Sequence, residues 1–205
     1  MNLNLSDDQR MMRENFARFL NEESSKVRVR AAQPSGFDPR LWQGLAEMGA
    51  FSMRVPEAAG GLGLGLLDAT VLMEEVGRTL ASGPIAETLV ATRLLALLGA
   101  EANAELLDKV MRGETVISIA FQDIADASVQ WVAGGAVADF VIARNGEQIV
   151  LVDAVTAIGS DTDSRGEANL ASTPLAELYL ADAAQTTLSS NAAGLTAFAQ
   201  AIEEW

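Results

Sequence analysis

The sequence contains no cysteine and no histidine. Their absence excludes disulfides, thiol nucleophiles, zinc sites built from cysteine or histidine, and every serine–histidine–acid triad within this chain. A chain without cysteine is also compatible with a reducing compartment. We find no other pattern typical of metal ligands, so no metal site is expected.

Basic residues are scarce. The chain has 14 lysines and arginines but 28 aspartates and glutamates, which gives a formal net charge of −14. Such a surface repels nucleic-acid phosphates and anionic lipids, so we expect neither nucleic acid nor a membrane surface as a partner. Long apolar runs are absent too, since Glu87 and Arg93 interrupt the most apolar segment. The first ten residues lack the basic and apolar regions of a signal peptide. We therefore expect a cytoplasmic protein.

Apolar residues are plentiful, at 49% of a chain of 205 residues. This length and composition predict a globular protein of one or two domains with a sizeable core. The stretch 55–78 has the clearest structural pattern in the chain. It begins as a loop punctuated by Pro56 and several glycines, and it continues as a helix with an apolar stripe. Members of the stripe are Leu66, Ala69, Met73, Val76 and Leu80.

Further helices are predicted on both sides of this stretch. Ser6 and Gln9 form a capping-box pattern, and Asp38 followed by Pro39 is typical of a second helix start. Residues 24–36 between these two helices are predicted to be a polar loop. Helices are expected over residues 6–23, 38–49, 66–80, 85–98 and 101–111, with 85–98 the most buried.

The apolar pattern shortens beyond residue 115. Short β-branched segments separated by turn residues predict strands, and Asn145-Gly146 is typical of a hairpin turn. Strands are expected over residues 116–121, 139–143, 148–153, 175–180 and 185–188. A last helix over residues 192–205, capped by Asn191, follows them, with a packed face predicted at Ala193, Phe198, Ala201 and Trp205. The predicted fold class is α+β, with a helical domain at 1–113, a small antiparallel β-barrel-like domain at 114–189, and the first helix of another helical domain at 190–205.

Several short motifs admit a functional interpretation, and each has a simpler one. The pattern Gly61-x-Gly63-x-Gly65 precedes a helix, but Leu66 stands at the third glycine of the dinucleotide-binding pattern G-x-G-x-x-G, and the elements that follow are not β-α-β. A packing turn is the better interpretation. The adjacent Glu74 and Glu75 point about 100° apart on a helix, and we predict that they face solvent. Residues 161–166 resemble a calcium loop only faintly and are interpreted as an ordinary loop.

The residues with the clearest family character lie in the first half of the chain. LSDDQRMMRENFARFLNEE at 5–23, the segment 37–78 and LASGPIAETLVATRLLALLG at 80–99 resemble the acyl-CoA dehydrogenase family. The resemblance is continuous over about residues 3–123, resumes at GGAVADFVIAR and persists more weakly through LAELYLADA. It implies an α domain, a β domain and a C-terminal four-helix domain, with FAD at their junction and at a subunit interface.

The resemblance also implies a chemistry. A glutamate, usually from the C-terminal domain, removes the α-proton of an acyl-CoA thioester while the β-hydrogen leaves as hydride to FAD. The implied function is therefore α,β-dehydrogenation of an acyl-CoA. The catalytic base is not assigned, because these 205 residues do not extend into the domain that carries it in the family.

The segment that contacts flavin in the family departs from the family pattern here. Phe121-Gln122-Asp123-Ile124 and Asp126-Ala127-Ser128-Val129 stand where the family has Thr-Glu-Pro and Ala-Gly-Ser-Asp. A hairpin of the family is missing, because Val129-Gln130-Trp131 runs almost directly into GGAVADFV. The resemblance still implies FAD contacts at Phe121, Gln122, Ala127, Ser128 and Trp131. As an ordinary residue, Trp131 is more often core than a cofactor platform.

Two functions remain open at this point. The chain is either an FAD-dependent dehydrogenase acting on an acyl-CoA thioester, or a non-catalytic subunit whose partner chain holds FAD and the base. The first fits a homo-oligomer, and the second requires a heteromer with another member of the family.

Overall fold

The computed structural model describes residues 4–99, 101–159, 166 and 169–205. In this part of the chain, α-helices are α1 Asp7–Glu23, α2 Lys26–Ala32, α3 Pro39–Glu47, α4 Leu66–Thr79, α5 Ile85–Gly99, α6 Ala104–Met111 and α7 Ala192–Glu204. Strands are β1 Ile117–Ile119, β2 Val129–Val132, β3 Phe140–Asn145, β4 Gln148–Asp153, β5 Ala176–Tyr179 and β6 Gln185–Ser189. The predicted order of a helical domain followed by a small β domain is confirmed. The domain limits at 113 and 189 stay predictions.

The helix starts that the sequence indicates are present. The Ser6 hydroxyl accepts a bond from the Gln9 N–H at 3.1 Å, and the Gln9 side-chain oxygen accepts from the Ser6 N–H at 3.0 Å. Asp38 caps α3 by accepting from the N–H groups of Arg40 and Leu41. These caps satisfy N–H groups that have no partner within their own helices.

The predicted polar loop over residues 24–36 is wrong in its centre, because residues 26–32 form α2. Ser25 caps this short helix. Arg28 on α2 binds the Asp38 carboxylate through two nitrogens at 2.8–3.0 Å and also pairs with Glu23 at the end of α1. Tertiary ion pairs thus hold a helix of seven residues that is too short to be stable alone.

The core of the helical domain surrounds α3 and α5. The Trp42 ring packs against Phe51 with centroids 4.2 Å apart and against Phe37 at 5.4 Å. Helix α5 is buried on most of its surface, as the sequence predicts. Threonines face this core as well, and the buried Thr88 hydroxyl donates to the Ile117 carbonyl of β1 at 2.8 Å.

The β domain is mixed rather than purely antiparallel. Strands are ordered β1-β3-β4-β6 in one sheet and β2-β5 in a second, two-stranded sheet. The pair β1–β3 is parallel, which contradicts the predicted antiparallel arrangement. The chain reaches β3 from β1 through β2, which lies in the other sheet, and this crossover sets the parallel direction. The hairpin predicted at Asn145-Gly146 is present between β3 and β4.

The two domains share an apolar core. Leu45 and Leu72 of the helical part lie in the same cluster as Val141 and Leu178 of the strands. Gly134, at φ +76°, brings its backbone so close to Pro84, the residue before α5, that an added Cβ would lie 2.7 Å from the proline ring. The junction is therefore packed as tightly as a protein interior.

Helix α7 packs against the helical domain and the sheet. Phe198 and Ala201 are buried against residues of α5 and β4, whereas Ala193 and Trp205, predicted to share that packed face, are exposed. None of the described helices is long and apolar enough to cross a membrane.

Two further predictions meet different outcomes. Glu74 is exposed, but Glu75 is only 8% exposed and pairs with Arg78 at 2.6 Å, so the prediction that both face solvent is wrong for Glu75. The loop predicted at 161–166 lies outside the described residues except for Gly166.

Candidate functional site

The segment 122–127 lies between β1 and β2 and includes Gln122 and Ala127, two of the five residues that the family resemblance assigns to flavin. A single side chain closes it. Gln130, which is 7% exposed, accepts from the Gln122 N–H at 3.2 Å and donates to the carbonyls of Gln122 and Ala127, each at 2.9 Å. These bonds of the side-chain amide reach Gln122 at one end of the segment and Ala127 at the other, so the amide holds the two ends together.

Asp123 organises the remainder of the segment. Its carboxylate accepts from the N–H groups of Ala125 and Gly146, at 3.0 and 2.9 Å, and pairs with Arg144 at 3.1 Å. Its carbonyl accepts from the N–H groups of Asp126 and Ala127. The segment is therefore tied both to itself and to the β3–β4 hairpin.

These bonds decide whether the segment fits a pyrophosphate. A phosphate-binding loop directs free backbone N–H groups at the anion. Here the N–H group of Gln122 donates to the Gln130 side chain, and that of Ile124 donates to the Arg144 carbonyl. The N–H groups at positions 125, 126 and 127 donate to Asp123. The exposed Asp126 adds a negative charge nearby. Five of the six N–H groups of the segment are therefore engaged, and the segment is a poor fit for the pyrophosphate of FAD.

An aromatic surface lies on the outer face of the β2–β5 sheet. Val129 pairs with Tyr179 and Trp131 pairs with Glu177, and these four side chains share the exposed face because alternate residues are buried. Trp131 is 52% and Tyr179 39% exposed, so Trp131 is not a core residue. We call these four residues the aromatic face. It suits a planar ring or a partner protein.

The five residues assigned to FAD by resemblance occupy different environments. Gln122 and Ser128 have exposed side chains, and the Ser128 carbonyl accepts from the Leu180 N–H at 2.9 Å. The Phe121 ring is half-buried and packs on Trp205 with centroids 4.4 Å apart. Their role as FAD contacts stays a prediction.

Among these five residues, Ala127 is half-buried and contributes its carbonyl to the Gln130 bonds, and Trp131 belongs to the aromatic face. Sequence reasoning missed Gln130, whose importance depends on a loop that only the folded chain forms. Its position next to Trp131 in an alternating strand was the one signal available, because alternation places neighbours on opposite faces.

A half-buried carboxyl, that of Glu87, contacts the last residue of the chain. The Trp205 indole N–H donates to Glu87 on α5 at 3.2 Å. Burial raises the pKa of Glu87 above its ordinary value, and hydrogen bonds, including the one from Trp205, offset only part of that rise. Such a shift is typical of functional clefts, although buried structural groups also display it.

Comparisons with known proteins agree on one family. The family model for the acyl-CoA dehydrogenase N-terminal domain matches residues 6–114. Acyl-CoA dehydrogenase IpdE2 of Mycolicibacterium smegmatis is 33% identical over 156 residues, which cover 75% of this chain and 47% of that protein. Benzylmalonyl-CoA dehydrogenase of Aromatoleum aromaticum is 29% identical over 178 residues, covering 72% of this chain and 46% of that protein.

Solved structures support the same fold. The Tcur3481–Tcur3483 steroid ACAD superimposes with a TM-score of 0.76 at 24% identity, covering 96% of this chain and 60% of the other. The ChsE4–ChsE5 complex of Mycobacterium tuberculosis has a TM-score of 0.74 at 18% identity, covering 99% of this chain and 64% of the other. The chain thus spans about half the length of the curated relatives it matches.

Proposed function

Because the chain belongs to the acyl-CoA dehydrogenase family, we propose that it is a non-catalytic subunit of a dehydrogenase assembly whose second chain holds FAD and the catalytic base. The observation that carries this proposal is the closed segment 122–127. Gln130 and Asp123 use the polar groups that a pyrophosphate would need. A subunit with this segment contributes its fold and its exposed surface to the assembly, and it makes no contact with the FAD pyrophosphate.

The proposed partner is another member of the same family. Two of the structural neighbours are described as pairs of chains, Tcur3481–Tcur3483 and ChsE4–ChsE5. The aromatic face supplies an exposed apolar surface for such a contact, with Trp131 as its largest member. An acyl-CoA thioester is the proposed substrate of the assembly. The description of one neighbour as a steroid ACAD supports a steroid-derived acyl group. A fatty acyl group is the proposed alternative, and the cytoplasm is the proposed compartment.

Flavin absorbance tests the proposal. The tagged chain, produced alone and given FAD, is expected to be colourless after gel filtration. The same tagged chain purified from its source organism is expected to carry a second family chain, identified by mass spectrometry, and to show flavin absorbance that an acyl-CoA bleaches. A chain that is yellow when produced alone and is bleached by an acyl-CoA would overturn the proposal.

A second candidate is that the chain itself contributes to an FAD-dependent dehydrogenase. The exposed indole of Trp131 favours it, because an aromatic side chain on a rigid strand suits the flavin ring. When bound, FAD supplies the acceptor for the hydride that leaves the acyl group. In this candidate the Gln122 side chain and Trp131 contact the ring.

Trp131→Ala separates the two candidates in the purified assembly. If Trp131 contacts flavin, the variant is expected to shift the flavin absorbance and to weaken FAD binding while the two chains stay together. If the aromatic face contacts the partner chain, the variant is expected to separate the chains on gel filtration. Val155→Ala, which removes another exposed apolar side chain of the β domain, serves as the matched control.

A further inference from the structure

Strand β2 lies at the edge of its two-stranded sheet, since β5 is its one neighbour among the described strands. Two hydrogen bonds next to this ladder show its bonding pattern. The Leu180 N–H donates to the Ser128 carbonyl, as in a bonded antiparallel pair, whereas the Tyr179 N–H donates away from β2, to the Ala157 carbonyl. Bonded and non-bonded pairs alternate along an antiparallel ladder, so the pair that follows Ser128 and Leu180 is non-bonded.

Val129 and Trp131 therefore direct their backbone N–H and carbonyl groups away from β5. Val129 pairs with Tyr179 and Trp131 with Glu177, both at non-bonded positions of the ladder. These backbone groups make no hydrogen bond within the part of the chain that the structure describes. Both residues are exposed, so these two donors and two acceptors lie at the surface. We call them the free edge of β2.

The other described sheet edges have protection that β2 lacks. Strand β1 lies against α5, where the Thr88 hydroxyl donates to the Ile117 carbonyl. Strand β5 has the charged Glu177 and donates from its outer side to the Ala157 carbonyl. Strand β6 pairs with β4 through a register shift. Strand β2, with the sequence VQWV, contains neither a charged residue nor a proline, and an edge of this kind accepts another strand.

The surroundings of the free edge are acidic. Glu177 lies beside Trp131 on the aromatic face, and the exposed Asp126 precedes the strand. Arg144 is the one cation among the described residues of the β domain, and it is paired with Asp123 at 3.1 Å. A basic segment is therefore attracted to this edge, and an acidic one is repelled.

A second copy of this chain is a poor occupant of the edge. Its β2 would bring the same acidic surroundings, and each copy has a formal net charge of −14. Buried arginines of the helical part do not offset this charge. Arg54, for example, lies between α4, α5 and the end of α7, where Glu204 binds it at 2.6 Å.

We propose that the free edge of β2 binds an extended stretch of a partner protein in which apolar and basic residues alternate. This added strand bonds through its backbone to Val129 and Trp131 and makes the sheet three-stranded. Its apolar side chains extend the aromatic face. Its basic side chains point to the opposite face, where the segment 122–127 carries Asp126. The inference rests on the proposed function for the source of the added strand, which is the second chain of the assembly.

Titration of the full chain with a short capped peptide of alternating valine and lysine tests the proposal. Amide NMR is expected to detect saturable binding. At saturation, hydrogen exchange of the Val129 and Trp131 amides is expected to slow about tenfold or more, because the added strand accepts from them. The Gln130 amide, which faces β5, should change little. The same peptide with N-methylated valines, or with glutamate in place of lysine, is expected to bind more weakly.

Two variants at one position separate the backbone edge from the aromatic face. Val129→Pro removes an outward N–H and leaves the bonds to β5 in place, and proline is tolerated at the first residue of an edge strand. It is expected to weaken peptide binding about tenfold. The matched control is Val129→Ala, which shortens the side chain but keeps the N–H and should retain most of the affinity. If Val129→Pro does not fold, the exchange pattern of the unaltered chain decides alone.

Four outcomes would overturn the proposal. They are no peptide binding up to millimolar concentration, binding that leaves the exchange of Val129 and Trp131 unchanged, equal losses of affinity in the two variants, and a dimer of this chain that Val129→Pro separates. The last would make a second copy the occupant. The peptide experiments use neither FAD nor a second chain, so their failure is distinguishable from failure of the proposed function, which flavin absorbance decides.

Discussion

Gln130 has an unusual position for a glutamine, because its amide is buried at the base of an exposed loop. An amide offers both donors and an acceptor, and here the bonded groups are the backbone atoms of Gln122 and Ala127. One side chain thereby replaces contacts that a continued strand or hairpin would otherwise provide. The conformation of the segment 122–127 depends on this residue.

We predict that Gln130→Leu destabilises the protein by about 1–3 kcal/mol, because a shape-matched apolar side chain leaves the Gln122 N–H and two carbonyls without partners. Urea unfolding measures the change. Hydrogen exchange of the Gln122 amide should accelerate by a larger factor than that of core amides. The control is Gln122→Leu, whose exposed side chain makes none of these bonds, and an equal loss in both variants would contradict the prediction.

Glu87 makes stability depend on pH. Its pKa in the folded chain is raised, so the folded state binds this proton more tightly than the unfolded state does. The resulting stabilisation is complete below the ordinary value of 4.5 and is lost as the pH rises through the folded-state pKa. We therefore predict that Glu87→Gln increases stability at neutral pH and has a smaller effect at about pH 4.

Thermal unfolding of the two proteins across this pH range checks the prediction. Glu74→Gln is the control, because it removes an exposed carboxyl from the neighbouring helix α4 with the same change in net charge. A stabilising effect of Glu87→Gln that is constant with pH, or no larger than that of Glu74→Gln, would show that burial of Glu87 is not its cause.

At the level of single residues, the sequence predicted local interactions better than distant ones. The bonds between Ser6 and Gln9 span three positions, so the pattern alone indicated them. Burial of Glu75 and the bonds of Gln130 depend on which segments fold over them. No local pattern carries that information, and the prediction that Glu75 faces solvent failed for this reason.

Helix α2 and the parallel pair β1–β3 form because tertiary contacts add to a weak local preference of their sequences for helix or strand. Helix α2 lacks a long apolar stripe, and the sequence therefore indicated a loop. Its stability comes from Arg28, which joins it to Asp38 and Glu23 on neighbouring elements. The parallel pairing of β1 with β3 was likewise not predictable, since it depends on β2 leaving the sheet for a partner in β5.

Two glycines with similar backbone angles provide a test at this level. Gly134 has φ +76° and lies against Pro84, whereas Gly146 has φ +59° and no atom within 4 Å of an added Cβ. We predict that Gly146→Ala costs about 1–2 kcal/mol from backbone strain alone. Gly134→Ala should cost a further 1–3 kcal/mol, roughly, because the added methyl group overpacks the junction.

Urea unfolding of both variants measures the difference. The two substitutions are chemically identical, so the comparison isolates packing against α5 from left-handed backbone strain. Equal losses of stability in the two variants would mean that the junction yields to the added methyl group of Gly134→Ala and is not tightly packed.

In the whole molecule, two apolar clusters each contain residues of both the helical and the β parts, and a buried bond joins Thr88 to Ile117. We predict that the helical and β parts unfold in a single transition. Hydrogen exchange read by mass spectrometry in rising urea should show peptides from α3 and from the β3–β4 hairpin losing protection at the same concentration. Separate transitions would contradict the shared core.

The general architecture was predictable because it follows from apolar periodicity and turn chemistry. Five of the six helices before the β domain and the β3–β4 hairpin have clear local signals, and the family resemblance covers the same segments. The candidate site was less predictable from the sequence. Trp131 appeared to be core from its residue type, and only its pairing with Glu177 places it on an outer face.

The pair formed by Arg54 and Glu204 joins positions 150 residues apart. During synthesis, the arginine leaves the ribosome long before the glutamate does, and its charge remains hydrated until α7 emerges. Closure of this pair is consequently a late event, and premature termination within α7 would leave an uncompensated cation between α4 and α5. Nascent chains stalled before position 204 should therefore be more accessible to proteases and chaperones than those that have passed it.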